Sequence, residues 1–225
     1  MLPGFAGGLD LLTSRWNLSR WLVGNDLALW GTNQGYLLLA GLLLGPVHLG
    51  GLKAAQTLVT GPAFVILQAG GSIGLPEATS ALALEGPSGL RRVSRRMSLL
   101  AFVAIGLLAL VMIAFGAQLL ALVYGNAFRG LHTAAALLAV AYAVGALGLG
   151  PIMALKATRR TRTLFTDQVA GLGVSLVAAL ALMPPFGVNG VAAAAVVGFS
   201  VQVGLLWSST RALTSPRHAR TQVKP

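Results

Sequence analysis

Six apolar stretches of about twenty residues dominate this chain, at residues 22–44, 52–75, 97–115, 133–155, 164–183 and 188–208. A helix needs about 20 mostly apolar residues to cross a hydrocarbon core of roughly 30 Å. Between the stretches lie turn-forming residues: Gly45-Pro46 with Gly50-Gly51, the run from Glu85 to Gly89, Tyr124-Gly125-Asn126, and the run from Pro184 to Gly187. Glycine and proline clusters of this kind are where chains reverse. Strands of a membrane barrel are about ten residues long and alternate in polarity. These runs are twice that length and do not alternate. The expected fold class is therefore all-α, an integral membrane protein with six transmembrane helices arranged as three hairpins.

Composition excludes the soluble alternative. Charged residues make up 9% of the 225 positions and hydrophobic residues 56%. A soluble domain carries roughly a quarter charged residues, so water cannot be the solvent over most of this surface. The basic residues then set the orientation. Arg15 and Arg20 precede the first stretch, and Arg91, Arg92, Arg95 and Arg96 lie between the second and third. Lys156, Arg159, Arg160 and Arg162 lie between the fourth and fifth, and Arg211, Arg217, Arg220 and Lys224 follow the sixth. Only Lys53 and Arg129 of the 16 basic residues fall on the other side. Lys and Arg near span ends stay in the cytoplasm, which places both termini there and the chain in the inner (cytoplasmic) membrane as a multi-pass protein. Explained as a topology signal, the net charge of +11 is not a nucleic-acid surface, although anionic lipid is a further use for it.

Three segments follow. Residues 1–21 form a cytoplasmic or interfacial leader, with Leu12, Trp16 and Val23 at near-helical spacing. Residues 22–209 form the six-helix lobe, and 210–225 a basic cytoplasmic tail. The non-cytoplasmic connections end alike, in Gly51-Leu52-Lys53-Ala54-Ala55, Gly130-Leu131-His132-Thr133-Ala134-Ala135 and Gly190-Val191-Ala192-Ala193-Ala194. Small residues there allow close backbone approach, so the even-numbered helices share one structural role.

Polar side chains inside a span must face protein or water. The first span carries Asn25, Asp26, Thr32, Asn33 and Gln34, with Trp30 and Tyr36 nearby. Asp26 fits two readings: a cavity-lining acid, or an interfacial carboxylate bonded to Asn25 and water. The second span carries Lys53, Thr57, Thr60, Phe64 and Gln68 at steps of three and four, with Gln56 at the stripe's edge and Gly61-Pro62 in its middle. Spans three to six are nearly bare, apart from Gln118, Asp167, Gln168, Ser175 and Gln202. The first helix pair is thus expected to face a wet cavity and the other four to form scaffold. Asn25, Asp26, Thr32, Asn33, Lys53, Gln56, Thr57, Thr60 and Gln68 are the candidate substrate path. Asp167 is placed to pair with Arg162 or Arg160, and Glu77 to cap a short helix after the second span. His48 and His132 read as surface residues. No catalytic constellation, cofactor loop or metal-ligand spacing is visible, and there is no cysteine, so an enzyme is not expected.

The run Leu49-Gly50-Gly51-Leu52-Lys53-Ala54-Ala55-Gln56, continuing through Gly61-Pro62 to Leu75-Pro76-Glu77-Ala78-Thr79, resembles the polysaccharide-unit flippases. These belong to the multidrug/oligosaccharidyl-lipid/polysaccharide exporter superfamily. Leu122-Val123-Tyr124-Gly125-Asn126-Ala127-Phe128 looks like the loop after the third helix of a lobe in that family, and Pro185-Phe186-Gly187-Val188-Asn189-Gly190-Val191-Ala192 like its last-hairpin turn. The resemblance implies a transporter that moves a lipid-linked sugar unit between leaflets by alternating access, without cofactors. It also implies two lobes around a central cavity, often lined by cations. This chain matches one lobe only, the second, so a further six-helix lobe is implied as partner, from another chain or a second copy. No Lys or Arg lies near the middle of a span, so a cationic cavity is expected from elsewhere or not at all. The alternatives are a multidrug or small-molecule exporter of the same fold, or a non-transporting scaffold for polysaccharide assembly.

Overall fold

A computed structural model describes residues 23–213 except 25, 29 and 32. The leader, the tail beyond residue 213, and the candidate path residues Asn25 and Thr32 lie outside the described residues. The described chain is all-helical, with no strand. Its elements are α1 (Asp26–Leu44), α2 (Pro46–Tyr124), a 3-10 turn (Asn126–Leu131), α3 (His132–Ala146), α4 (Leu149–Ala157) and α5 (Thr161–Leu213). By length and composition four helical segments could cross a membrane: α1, α2, the stretch Asn126–Ala157, and α5.

The two longest helices are not straight. At Gly86 the backbone of α2 takes φ 66°, ψ −150°, and at Gly187 that of α5 takes φ 55°, ψ −130°. Residues with a Cβ rarely adopt these angles, and glycine does so without steric cost. Proline neighbours, Pro87 on one side and Pro184-Pro185 on the other, disfavour a continuous helix at these points. Each helix therefore folds back on itself as two arms. In α2, Gly74 comes opposite Met97, and Val59 and Ala63 share a buried cluster with Ala109 and Met112. In α5, Gly171 comes opposite Gln202, and Gly198 opposite Ser175.

One expectation needs correction here. The segment after residue 75 is not a loop with a short helix. The first arm of α2 continues through Pro76 to the Gly86 reversal, about 60 Å at 1.5 Å per residue. Ala78, Ala81, Leu90 and Val93 explain this, because they extend the buried seam beyond the apolar stretches. Glu77 accordingly pairs with Arg96 across the arms (3.5 Å) and caps no separate helix, while Glu85 pairs with Arg92 (2.6 Å).

Small residues set the packing. Gly24, just before α1, and Gly31 and Gly35 within it lie against Phe165, Leu172 and Leu176 of α5. The repeated glycine-aliphatic-alanine segments also converge: Leu52, Ala134, Val191 and Ala192 are all fully buried in one cluster. Ala55 and Ala135 meet in a neighbouring one. The outward faces are apolar. In α2 only 28% of the most apolar window is buried, and Leu99, Val103, Leu107, Leu110 and Ile113 project from its second arm. Exposed apolar surface on this scale is foreign to monomeric soluble proteins and suits lipid.

Candidate functional site: a polar-striped cavity between five helices

A break in one helix opens the site. Pro151 has no N–H, so the carbonyl of Leu147 four residues earlier loses its helical partner. The chain breaks there into α3 and α4. Ser98 Oγ (2.7 Å) and Trp207 Nε1 (3.1 Å) donate to the freed Leu147 carbonyl from two other arms. Gly150 N in turn donates to Ser98 Oγ (3.0 Å). At Gly150 the backbone lies directly on the carbonyl of Ser94, leaving no room for a Cβ.

On the other side of this joint lies a cavity of about 830 Å3. Asp26, Trp30, Asn33 and Gln34 of α1 form one wall. The stripe of the first α2 arm forms the next, with Lys53, Gln56, Thr57, Thr60, Phe64 and Gln68 all lining it. Tyr142, Ile152 and Lys156 of α3 and α4, with Phe199 and Gln202 of α5, close the far side. From Lys53 to Leu75 the α2 wall alone runs about 33 Å, the thickness of a hydrocarbon core.

A hydrogen-bonded network organises one end. Lys53 Nζ donates to Gln34 Oε1 (3.2 Å) and Gln56 Oε1 (2.9 Å). Gln56 Nε2 donates to the Asn33 carbonyl (2.8 Å) and the Tyr36 hydroxyl (2.9 Å). The Tyr142 hydroxyl donates to Asn33 Oδ1 (2.7 Å), joining α3 to the same network. Gln56 and Tyr36 are fully buried, so these bonds form where water does not compete. At the opposite end, Lys156 in the last turn of α4 reaches the cavity. Gln202 Oε1 is buried without a hydrogen-bond partner in the described structure, and such a group costs about 1–3 kcal/mol unless something meets it.

The structure gathers every described candidate path residue, namely Asp26, Asn33, Lys53, Gln56, Thr57, Thr60 and Gln68, around this one cavity. It corrects one expectation. The first helix pair does not carry the cavity alone, because the α3–α4 break and the last arm of α5 turn Tyr142, Lys156, Phe199 and Gln202 into it. Lys156 thereby joins the candidate path residue Lys53 as a second cation on the lining, neither of them near the middle of a span. Of the residues not anticipated, Gln202 had a visible signal as a lone amide within an apolar run. Lys156 was hidden inside a basic group read as topology. Asp167 Oδ2 accepts from Ser209 Oγ (2.7 Å), a contact between the two arms of α5. His48 and His132 each bond a nearby backbone carbonyl, those of Leu44 (2.8 Å) and Arg129 (3.2 Å).

No protein-family model matches this chain, and no curated protein or solved structure is significantly similar to it.

Proposed function

We propose that this chain is one lobe of a membrane transporter that moves a lipid-linked polysaccharide unit across the cytoplasmic membrane by alternating access. The observation that carries the reading is the cavity: as long as a hydrocarbon core is thick, mostly apolar with a polar stripe, and with a lysine toward each end. Each part suits a part of such a substrate. Amides and hydroxyls at Asn33, Gln56, Thr57, Thr60 and Gln68 suit sugar hydroxyls, and Trp30 and Phe64 offer rings for sugar faces. Lys53 and Lys156 suit the anionic phosphate linkage at the beginning and end of its passage. The apolar wall at Leu67, Leu75 and Leu149 suits the lipid. An amphiphilic drug would use the same aromatic and apolar surfaces, which keeps an exporter of small molecules as the second reading. In either case a second six-helix lobe, from a second copy or another chain, completes the cavity.

Within this reading the arms divided at Gly86 and Gly187, together with α1 and the α3–α4 unit, are six crossings with both termini cytoplasmic. Cysteines placed singly at the exposed positions Ser88 and Arg160 are then shielded from an impermeant thiol reagent in intact cells, and one at the exposed Asn189 is labelled. Labelling of Ser88 from outside overturns this topology. The function itself is tested by where the lipid-linked sugar resides in cells with and without the chain: on the outer leaflet with it, confined to the inner leaflet without it.

A further inference from the structure

Behind the Leu147 joint, on the side away from the cavity, a second cleft of about 630 Å3 lies between the second arm of α2, the α3–α4 joint and the last turns of α5. Three guanidinium side chains line it, Arg91 and Arg95 from one arm and Arg211 from another more than a hundred residues later. Arg91 and Arg95 are one helical turn apart, as are Arg92 and Arg96. The second pair is held by Glu85 and Glu77, and the first pair lines the cleft. The floor is apolar, from Leu90, Leu147 and Ala154, and Leu99 projects at the rim. Ser94 also lines the cleft, and its buried hydroxyl has no hydrogen-bond partner in the described structure. The Trp207 indole is fixed as a wall by its bond to the Leu147 carbonyl.

We propose that this cleft binds the phosphate of an anionic phospholipid in the cytoplasmic leaflet, with the guanidiniums on the headgroup and Leu99 against an acyl chain. The site is separate from the transport cavity and rests only on the chain being embedded in a bilayer with this end at the headgroups. Arginine recognises phosphate oxygens through paired N–H donors, and tryptophan favours the headgroup level. A free phosphate ion shares the chemistry but has no use for an apolar floor and rim. Occupied, the cleft would tie the end of α5 to the α2 hairpin at the joint that shapes the cavity.

The test uses the full-length chain in nanodiscs, with Trp16, Trp21 and Trp30 replaced by Phe so that Trp207 alone reports. Brominated phosphatidylglycerol is expected to quench Trp207 emission at about tenfold lower mole fraction than brominated phosphatidylcholine, and inorganic phosphate at 10 mM is expected not to reverse it. Arg95→Gln with Arg211→Gln should abolish the preference. Arg92→Gln with Arg96→Gln also removes two positive charges, both from α2 beside the cleft, and should keep it. Equal quenching by the two lipids, a preference that survives Arg95→Gln with Arg211→Gln, or equal loss in both double variants would overturn the proposal. Reversal by inorganic phosphate would overturn the lipid as ligand. Unchanged far-UV circular dichroism of both double variants separates loss of binding from loss of fold.

Discussion

Replacing Gly150 by Val should leave almost no folded protein in the membrane. The Cα of Gly150 rests against the backbone carbonyl of Ser94, and a Cβ there would overlap that carbonyl and crowd Ser98 Oγ. Backbone is the obstacle, so no side-chain rotation relieves it. The second arm of α2 and α4 would have to separate, breaking the bonds from Gly150 N to Ser98 Oγ and from Ser98 Oγ to the Leu147 carbonyl. Overpacking of a well-packed core typically costs about 1–3 kcal/mol, occasionally more, and buried groups left unpaired add about 1–3 kcal/mol each. Their sum is comparable to the whole stability of many proteins. Folded protein is read by size-exclusion chromatography of a fluorescent fusion after mild detergent extraction. A monodisperse wild-type profile for Gly150→Val would show that the close approach is not what holds this joint. Gly106, which has open space around it, is the control: Gly106→Val should leave the profile unchanged.

A second large effect is expected from Gln56→Leu. Gln56 is the one side chain that joins Lys53, the Asn33 backbone and Tyr36. Leucine fits a similar volume but takes away an acceptor and two donors at once. The Asn33 carbonyl and the Tyr36 hydroxyl then each lose a buried partner, and Lys53 keeps only Gln34. At about 0.5–1.5 kcal/mol for each of the three hydrogen bonds lost, a loss of roughly 2–4 kcal/mol is expected. It should appear as a lower midpoint in thermal unfolding, together with a transport defect larger than the fall in protein level. Gln56→Glu keeps the length and offers Lys53 a carboxylate, but it cannot donate to Asn33 and Tyr36. It should restore only part of the stability. Stability equal to wild type in Gln56→Leu would mean that the network is incidental to the packing of α1 on α2.

How much of this was written in the sequence depends on which interaction fixes each feature. The reversals at Gly86 and Gly187 lie within clusters of glycine and proline, because a positive φ needs a particular residue type at a particular place. The polar stripe of the first α2 arm was legible for a similar reason. Helical spacing alone puts Lys53, Thr57, Thr60 and Gln68 on one face, and lipid cannot solvate that face. The lengths of the α2 arms were not legible, since the buried seam there is carried by small side chains such as Ala78 and Ala81, which leave little apolar periodicity. Nor was the break at Leu147. Pro151 announces a disturbed helix, but Ser98 and Trp207, which stabilise the freed carbonyl, are 49 and 60 residues from it in sequence. That break sits between Tyr142 and Lys156, the two polar residues that this segment gives the cavity. Lys156 looked like one more cation of a cytoplasmic group until the tertiary fold turned it inward.

The transport reading is tested most directly by the leaflet position of the lipid-linked sugar. Right-side-out vesicles from cells lacking the chromosomal copy, but carrying either the wild-type chain or Lys53→Gln with Lys156→Gln, are treated with an impermeant glycosidase, and the cleaved fraction of the lipid-linked unit is measured. Both lysines line the cavity, and glutamine keeps much of their length while removing the charge that would meet the phosphate. With the wild-type chain most of the unit should be cleaved. With the double variant, at equal protein level in the membrane, cleavage should fall by about tenfold or more and the uncleaved unit should accumulate inside. Cleavage equal to wild type in the double variant, or in vesicles with no copy of the chain at all, would contradict the account.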